Sequence, residues 1–157
     1  MTKRYNIAVI GTGDMGNRHI TAWQALGHQV ISVTDVDTTR AEEAAAAFNI
    51  PAIHRDYAVA VADPEVDIVS ICLPLAFHAP VTVCAARNGK HILCEKPLAR
   101  SFREVAGMEA AVEKAGVQFG LGLQRNLAEG VGVLRRLATE GTFGRPMVFS
   151  SDLLLEV

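Results

Sequence analysis

Two short stretches carry the side chains of this sequence that could do chemistry. The first is the glycine-rich GTGDMG, residues 11–16, which has the form G-x-G-x-x-G. The second is the tripeptide Glu95-Lys96-Pro97, which directly follows an apolar run. Glycine-rich turns of this form bind phosphate groups through backbone N–H groups. The tripeptide places an acid, a base and a residue that cannot donate a backbone hydrogen bond at the end of that run, so it is the second candidate site.

The glycine pattern has the structural context that a phosphate-binding turn requires, because a predicted apolar strand precedes it and a predicted helix follows it. Gly11 permits a tight turn, Gly13 leaves space for a pyrophosphate beside the backbone, and Gly16 lets the helix pack against the strand. The free N–H groups and the helix dipole favour the phosphate charge. Six residues of this turn are therefore predicted to bind a dinucleotide: Gly11, Thr12, Gly13, Asp14, Met15 and Gly16.

An acidic residue ends the second predicted strand, where a dinucleotide-binding site needs one. Asp35 follows Gly16 by 19 residues, and an acid about 20 residues on binds the adenosine ribose. Its carboxylate would repel a 2′-phosphate, so NAD is favoured over NADP. Arg40 lies about one helical turn away and keeps NADP open as the alternative. Incidental glycines, with Asp35 capping a helix, are the other interpretation of this region.

Short apolar runs alternate with helical patterns along the chain, which predicts a parallel sheet covered on both faces. The fold class is therefore α/β, a doubly wound parallel sheet of the Rossmann dinucleotide-binding type. Capping boxes are predicted at Thr39 with Glu42 and at Ser101 with Glu104. The predicted strands are 6–10, 29–34, 52–54, 67–73, 90–94, 116–123 and 146–157, and the predicted helices are 14–26, 39–48, 55–62, 77–88, 101–115 and 127–139.

Further candidate residues follow the fourth predicted strand. The strand ends at Leu73 and Pro74 breaks it, and the carboxyl ends of such strands face the ligand crevice. His78 begins the next helix, where its neutral imidazole would line the nicotinamide side of the cleft. The alternative for His78 is a histidine in the first turn of a helix without a role in binding.

Three segments, GTGDMG, VSICLPLAFHAP and GKHILCEKPLA, together resemble the Gfo/Idh/MocA family. These are NAD(P)-dependent oxidoreductases that include glucose–fructose oxidoreductase and inositol dehydrogenase. The resemblance covers nearly the whole chain. It implies an N-terminal Rossmann domain that binds the dinucleotide. It also implies a C-terminal α/β domain with an open sheet, against which a sugar, polyol or related substrate binds.

The resemblance also implies roles for individual residues. Lys96 would be catalytic, reaching the nicotinamide ribose and the substrate and assisting proton transfer as hydride moves. Glu95 would hold the nicotinamide side of the cleft, and Pro97 would fix the turn with a cis Lys96–Pro97 bond. Arg125 would lie near the cofactor and the interdomain cleft, with a plain surface arginine as the alternative.

The sequence departs from the family pattern in length and in one motif. Family members are longer, and their C-terminal domain carries a D-x-x-x-H motif that nothing here matches. We expect residues 1–145 to form the dinucleotide-binding domain and residues 146–157 to be the first strand of a truncated substrate domain. The chain is then either a truncated product or a fragment whose tail is disordered, swapped or paired in an oligomer.

Three functions follow from these patterns. The first is the cofactor domain of an oxidoreductase acting on a sugar, inositol or related secondary alcohol or ketone. The second is a non-catalytic NAD(H)-binding module without a complete active site. The third is a reductase with a different second domain that acts on a non-sugar.

Composition excludes several other classes of protein. The net charge is −2, so no basic surface is predicted for nucleic acid or membrane. No apolar run reaches the roughly 18 residues that a membrane span needs, and the N-terminal run is too short for a signal peptide. We expect a cytoplasmic protein that forms homo-oligomers.

The sequence contains three cysteines and no C-x-x-C pair, which predicts no disulfide framework and no metal site. We interpret the three as small apolar residues, and the alternative is a reactive thiol at Cys94.

Overall fold

The computed structural model describes residues 3–145 and contains a six-stranded sheet in which every strand pairing is parallel. The strand order β3-β2-β1-β4-β5-β6 confirms the predicted doubly wound α/β fold. The strands are β1 Asn6–Ile10, β2 Gln29–Thr34, β3 Ala52–His54, β4 Ile68–Ile71, β5 His91–Cys94 and β6 Phe119–Leu121. The helices are α1 Asp14–Ala25, α2 Thr38–Phe48, α3 Tyr57–Ala62, α4 His78–Arg87, α5 Phe102–Ala115 and α6 Glu129–Thr139.

The chain divides into two compact units, with the boundary between Gly122 and Leu123. The first unit contains the whole sheet and α1 to α5. The described part of the second unit contains a short 3₁₀ turn, Gln124–Leu127, and α6. The strand predicted at 146–157 lies outside the described residues and stays a prediction.

Helices cover both faces of the sheet because β1 is apolar on both sides. Ile7 and Val9 belong to a buried cluster that includes residues of α1 and α2. Ala8 and Ile10 belong to a second buried cluster that includes residues of α3 and α4. All four side chains are at most 1% exposed. A strand buried on both faces is apolar at every position, which is the pattern that predicted this sheet.

The strand register aligns the carboxyl ends of five strands in one row. Ile10 pairs with Thr34 on one side and with Ile71 on the other, Ile71 pairs with Cys94, and Cys94 pairs with Leu121. The residues that come next on each strand therefore lie side by side at one edge. Those residues are Gly11, Asp35, Cys72, Glu95 and Gly122.

The helix starts test the two predicted capping boxes. Ser101 caps α5 as predicted, since its hydroxyl accepts the Glu104 N–H at 3.2 Å, but the Glu104 carboxylate accepts the N–H of Arg100 at 2.8 Å. The box at Thr39 is wrong. Asp37 caps α2 instead, accepting the N–H groups of Thr39 and Arg40, because its carboxylate reaches both orphan donors.

None of the helices in the described part of the chain combines the length and the apolar composition that a membrane crossing requires. No group of three or more His, Cys, Asp or Glu side chains in it could hold a metal ion.

Candidate functional site

The glycine turn is built so that only glycine fits at two of its positions. Gly11 has φ of +95°, donates its N–H to the Thr34 carbonyl at 2.7 Å, and would place a Cβ against the Cys72 carbonyl. A Cβ on Gly16 would collide with the Gly11 carbonyl. The two glycines thus let strand, turn and α1 approach each other closely, as the sequence predicted.

The N-terminus of α1 is open to a ligand. Gly13 is the N-cap and supplies no side-chain hydrogen bond to the first turn, and a Cβ built on it would meet nothing within 4 Å. The N–H groups of the first turn therefore have no capping side chain and can donate to an anion. Asp14 is exposed in that turn, Met15 is half-buried, and Thr12 is buried.

Asp35 is tied to the glycine turn by its own carboxylate. One oxygen, Oδ2, accepts the Thr12 N–H at 2.8 Å and the Thr12 hydroxyl at 3.0 Å, while Oδ1 accepts the Asp37 N–H at 3.0 Å. Burial by itself would raise the pKa of Asp35. The hydrogen bonds from Thr12 and Asp37 and the charge of Arg40 outweigh burial, so the pKa lies below its ordinary value of 3.8. Asp35 is thus an oriented anion at the end of β2, with lone pairs left for further donors.

A cavity of about 550 Å³ opens beside the turn, between α1 and α2. Arg40 lines it and lies 3.4 Å from Asp37 through its Nε atom. The cavity therefore presents one cation, already paired with an acid, near the turn. The lining residues are Thr12, Gly13, Asp14, Asn17, Arg40, Glu43, Ala44, Ala47 and Phe48.

The two charged side chains of the loop after β5, Glu95 and Lys96, differ in their exposure to solvent. Glu95 is 5% exposed, whereas Lys96 and Pro97 are exposed. Within the described residues the Lys96 ammonium group makes no ion pair or hydrogen bond, so it is available to a ligand at this edge. The Lys96–Pro97 peptide bond is cis, as predicted.

Two partners hold the Glu95 carboxylate. His19 Nε2 lies 3.2 Å from Oε1, and the Lys96 N–H donates to Oε2 at 3.2 Å. A Cβ on Gly122 would lie 2.5 Å from Oε1, so the glycine leaves space for the carboxylate in this position. Glu95 is therefore held from α1 and from its own loop, beside the end of β6.

His78 joins two loops at the carboxyl end of the sheet. It is 1% exposed, and its ring nitrogens lie 2.8 Å from the Leu73 carbonyl and 2.8 Å from the Pro97 carbonyl. Leu73 is half-buried and Pro74 is exposed beside it. The ring thus links the end of β4 to the loop of Lys96. Contact of His78, Leu73 or Pro74 with a cofactor stays a prediction.

Arg125 lies in the second unit, in the turn Gln124–Leu127. The structure does not describe its side chain, so its predicted place near the cofactor stays a prediction.

Sequence reasoning missed three residues that support this site. His19 and Trp23 on α1 both contact the Ser70 hydroxyl, at 2.8 Å from His19 Nδ1 and 3.3 Å from Trp23 Nε1. The available signal was their spacing, because residues four apart share a helix face. Nothing in the sequence could have indicated Ser70, which is fully buried in β4.

Two cysteines lie close to Glu95, and their environment supports a structural role. Burial raises the pKa of the Cys72 and Cys94 thiols to about 12, and the Glu95 charge contributes to both shifts. Such thiols stay protonated at neutral pH, and the thiol is a poor nucleophile. The geometry therefore favours a structural interpretation over a reactive thiol at Cys94.

Most of this chain matches a family of known proteins. The family described as "Oxidoreductase family, NAD-binding Rossmann fold" (GFO_IDH_MocA) matches residues 5–123. The match spans β1 to the end of β6, including the turn, Asp35 and the Glu95-Lys96-Pro97 loop.

Individual relatives match over most of this chain but less than half of their own. "Uncharacterized oxidoreductase YrbE" of Bacillus subtilis is 33% identical over 147 residues, which are 93% of this chain and 43% of that protein. "Levoglucosan dehydrogenase" of Pseudarthrobacter phenanthrenivorans is 31% identical over 158 aligned residues, 95% of this chain and 40% of that protein. The chain thus spans well under half the length of the curated relatives it matches.

A solved structure agrees in fold. The complex of levoglucosan dehydrogenase with NADH superposes with a TM-score of 0.84 at 30% identity, over 91% of this chain and 41% of that one. On the family match, the sheet order and the glycine turn, this chain belongs to the Gfo/Idh/MocA oxidoreductase family and contains its NAD-binding Rossmann domain.

Proposed function

We propose that this chain is the cofactor-binding part of an NAD(P)-dependent oxidoreductase that acts on a sugar, inositol or related secondary alcohol or ketone. The observation that carries the proposal is the row of strand ends. It brings the phosphate-binding turn, the ribose-binding acid Asp35 and the loop of Lys96 to one edge of the sheet. A sugar derivative as substrate is supported by the relative named levoglucosan dehydrogenase.

Each part of the edge has a task in this proposal. The α1 N–H groups at Gly13 bind the pyrophosphate, and Asp35 accepts hydrogen bonds from the adenosine ribose. The bound cofactor supplies a nicotinamide ring that takes or gives hydride. Lys96 places an ammonium group where the substrate oxygen gains or loses a proton, which stabilises charge on that oxygen.

NAD is the expected cofactor rather than NADP. Asp35 is ionised and hydrogen-bonded in place, and Asp37 adds a second carboxylate close by. Arg40, the cation that could bind a 2′-phosphate, is paired with Asp37. The 2′-phosphate of NADP would therefore be repelled by the carboxylates of Asp35 and Asp37, and Arg40 is already paired with one of them.

Titration of the chain with NADH and NADPH by calorimetry tests the cofactor assignment. Asp35→Ala should lower the affinity for NADH and bring the dissociation constants of NADH and NADPH closer together. The reason is that the 2′-phosphate of NADPH would no longer be repelled by the Asp35 carboxylate. An unchanged ratio would contradict the ribose assignment, and Glu113→Ala, which removes an exposed acid on α5, serves as the matched control.

A second function, a non-catalytic NAD(H)-binding module, would use the same glycine turn and Asp35 without hydride transfer. Turnover separates the two. Reduction of NAD by the full-length gene product with a panel of sugars and polyols, with Lys96→Ala lowering turnover far more than NADH affinity, supports the oxidoreductase. Cofactor binding without turnover on any of them supports the module.

We also propose that the protein is cytoplasmic and forms homo-oligomers. Sedimentation equilibrium tests the assembly, and a monomer at all concentrations would refute it.

A further inference from the structure

His19 links the cofactor-binding helix to the loop that carries Lys96. It lies on α1, whose N-terminus is open to a phosphate, and its ring reaches both β4 and the residue after β5. Its side chain is 12% exposed and that of Glu95 is 7% exposed. A contact between two groups so withdrawn from water is screened little by solvent.

The partners of His19 give its hydrogen bonds a direction. Trp23 can only donate, so the Ser70 hydroxyl accepts from Trp23 Nε1 and its own proton is free for His19 Nδ1 at 2.8 Å. An ionised Glu95 can only accept, so His19 Nε2 donates to Oε1 at 3.2 Å. The donors thus run in one sense from Trp23 through Ser70 and His19 to Glu95.

The far oxygen of the same carboxylate holds the backbone beside the exposed lysine. Glu95 Oε2 accepts the Lys96 N–H at 3.2 Å, and Gly122 leaves space for the carboxylate, because a Cβ there would lie 2.5 Å from Oε1. Rotation of the carboxylate would therefore break its bonds to His19 and to the Lys96 N–H together.

From this geometry we propose that His19 is a positioning residue for Lys96. It acts through Glu95 and does not itself contact cofactor or substrate. The inference rests on the proposed function, since Lys96 is taken to meet the nicotinamide end of the cofactor. The adenosine end is bound by the glycine turn and Asp35, which His19 does not contact.

Two nucleotides separate this role from a general structural one. NADH reaches both ends of the site, whereas ADP has neither the nicotinamide nor the ribose that carries it and uses the glycine turn and Asp35. In the full chain, His19→Leu should weaken NADH binding by roughly three- to ten-fold, the effect of one net hydrogen bond, and leave ADP binding unchanged. His19→Gln, whose amide can still donate to Glu95, should restore NADH affinity. His91→Leu, at the opposite end of β5, is the control.

A measurement without ligand completes the test. The backbone amide resonance of Lys96 should move in His19→Leu and return toward the wild-type position in His19→Gln. Unchanged NADH affinity in His19→Leu, or equal losses for NADH and ADP in both His19 variants, would overturn the proposal. If the wild-type chain binds neither nucleotide, the proposed function fails, and the Lys96 amide alone decides whether His19 positions the loop.

Discussion

At the scale of single residues, Asp35 shows how one carboxylate ties the end of β2 to the glycine turn. Its oxygens accept three hydrogen bonds from Thr12 and Asp37, and its pKa lies below 3.8 although burial opposes the shift. An acid with a lowered pKa in the folded state stabilises the fold only while it is ionised.

The low pKa of Asp35 predicts a specific loss of stability in acid. The contribution is fully present above the ordinary pKa of 3.8 and is lost as pH falls through the lower folded-state value. Urea unfolding between about pH 6 and pH 2 should show wild type and Asp35→Asn converging in free energy of unfolding at the acid end. Asp14→Asn removes an exposed acid and should show less convergence; a constant gap for Asp35→Asn would contradict the prediction.

The thiols are the second residue-level feature that can be tested. Burial raises the pKa of Cys72 and Cys94 to about 12, and it also raises the pKa of Cys84. Iodoacetamide should therefore modify the native chain slowly at pH 7.5 and the urea-unfolded chain rapidly, because only the thiolate reacts. Mass spectrometry measures the rates, and rapid native labelling at Cys94 would revive the reactive-thiol interpretation.

At the scale of elements, the junction of β1 and α1 separates two kinds of glycine. Gly16 is required by packing against the Gly11 carbonyl, whereas Gly13 faces open space with an ordinary φ of −69°. The fold requires the first kind, whereas the second kind leaves space for the proposed cofactor.

This difference predicts opposite outcomes for two alanine substitutions. Gly16→Ala should cost about 3 kcal/mol or more of unfolding free energy, because backbone atoms have to move. Gly13→Ala should cost less than about 1 kcal/mol but should reduce NADH affinity by filling the space for the pyrophosphate. Urea titration and calorimetry measure the two effects, and each variant is the other's control. Equal stability losses would remove the distinction.

At the scale of the whole molecule, the site is assembled from five strand ends, so its formation depends on the folded sheet. Residues 11, 35, 72, 95 and 122 lie together only because β1, β2, β4, β5 and β6 share one register row. A ligand that binds this edge therefore binds the folded chain and not the unfolded chain.

Ligand binding should therefore stabilise the chain as a whole. NADH at 100 times its dissociation constant should add about 2.7 kcal/mol to the free energy of unfolding. Urea unfolding monitored by far-UV circular dichroism measures this, and Gly13→Ala should need more NADH for the same shift. No shift at saturating NADH would contradict binding at an edge that only the folded sheet creates.

Much of the sheet could be predicted because its signals are local. The run at 6–10, buried on both faces, is apolar after its first residue, and Gly27 and Gly116 follow helices whose patterns end there. The predicted strand at 67–73 was too long, since pairing ends at Ile71, and the helix at 77–88 begins one residue later than predicted. Hydrogen-bond partners across the sheet set those ends, and a single run of sequence does not contain them.

The sequence by itself determined the succession of strands and helices along the chain, the glycine turn, Asp35 at the end of β2 and the Glu95-Lys96-Pro97 loop after β5, since periodicity and turn chemistry depend on near neighbours. The tertiary structure alone decided that His19 meets Glu95, 76 positions away, and that His78 spans the Leu73 and Pro97 carbonyls. The physical reason is the strand order. It places β4 between β1 and β5, so a side chain of α1 reaches across one strand to the residue that follows the next.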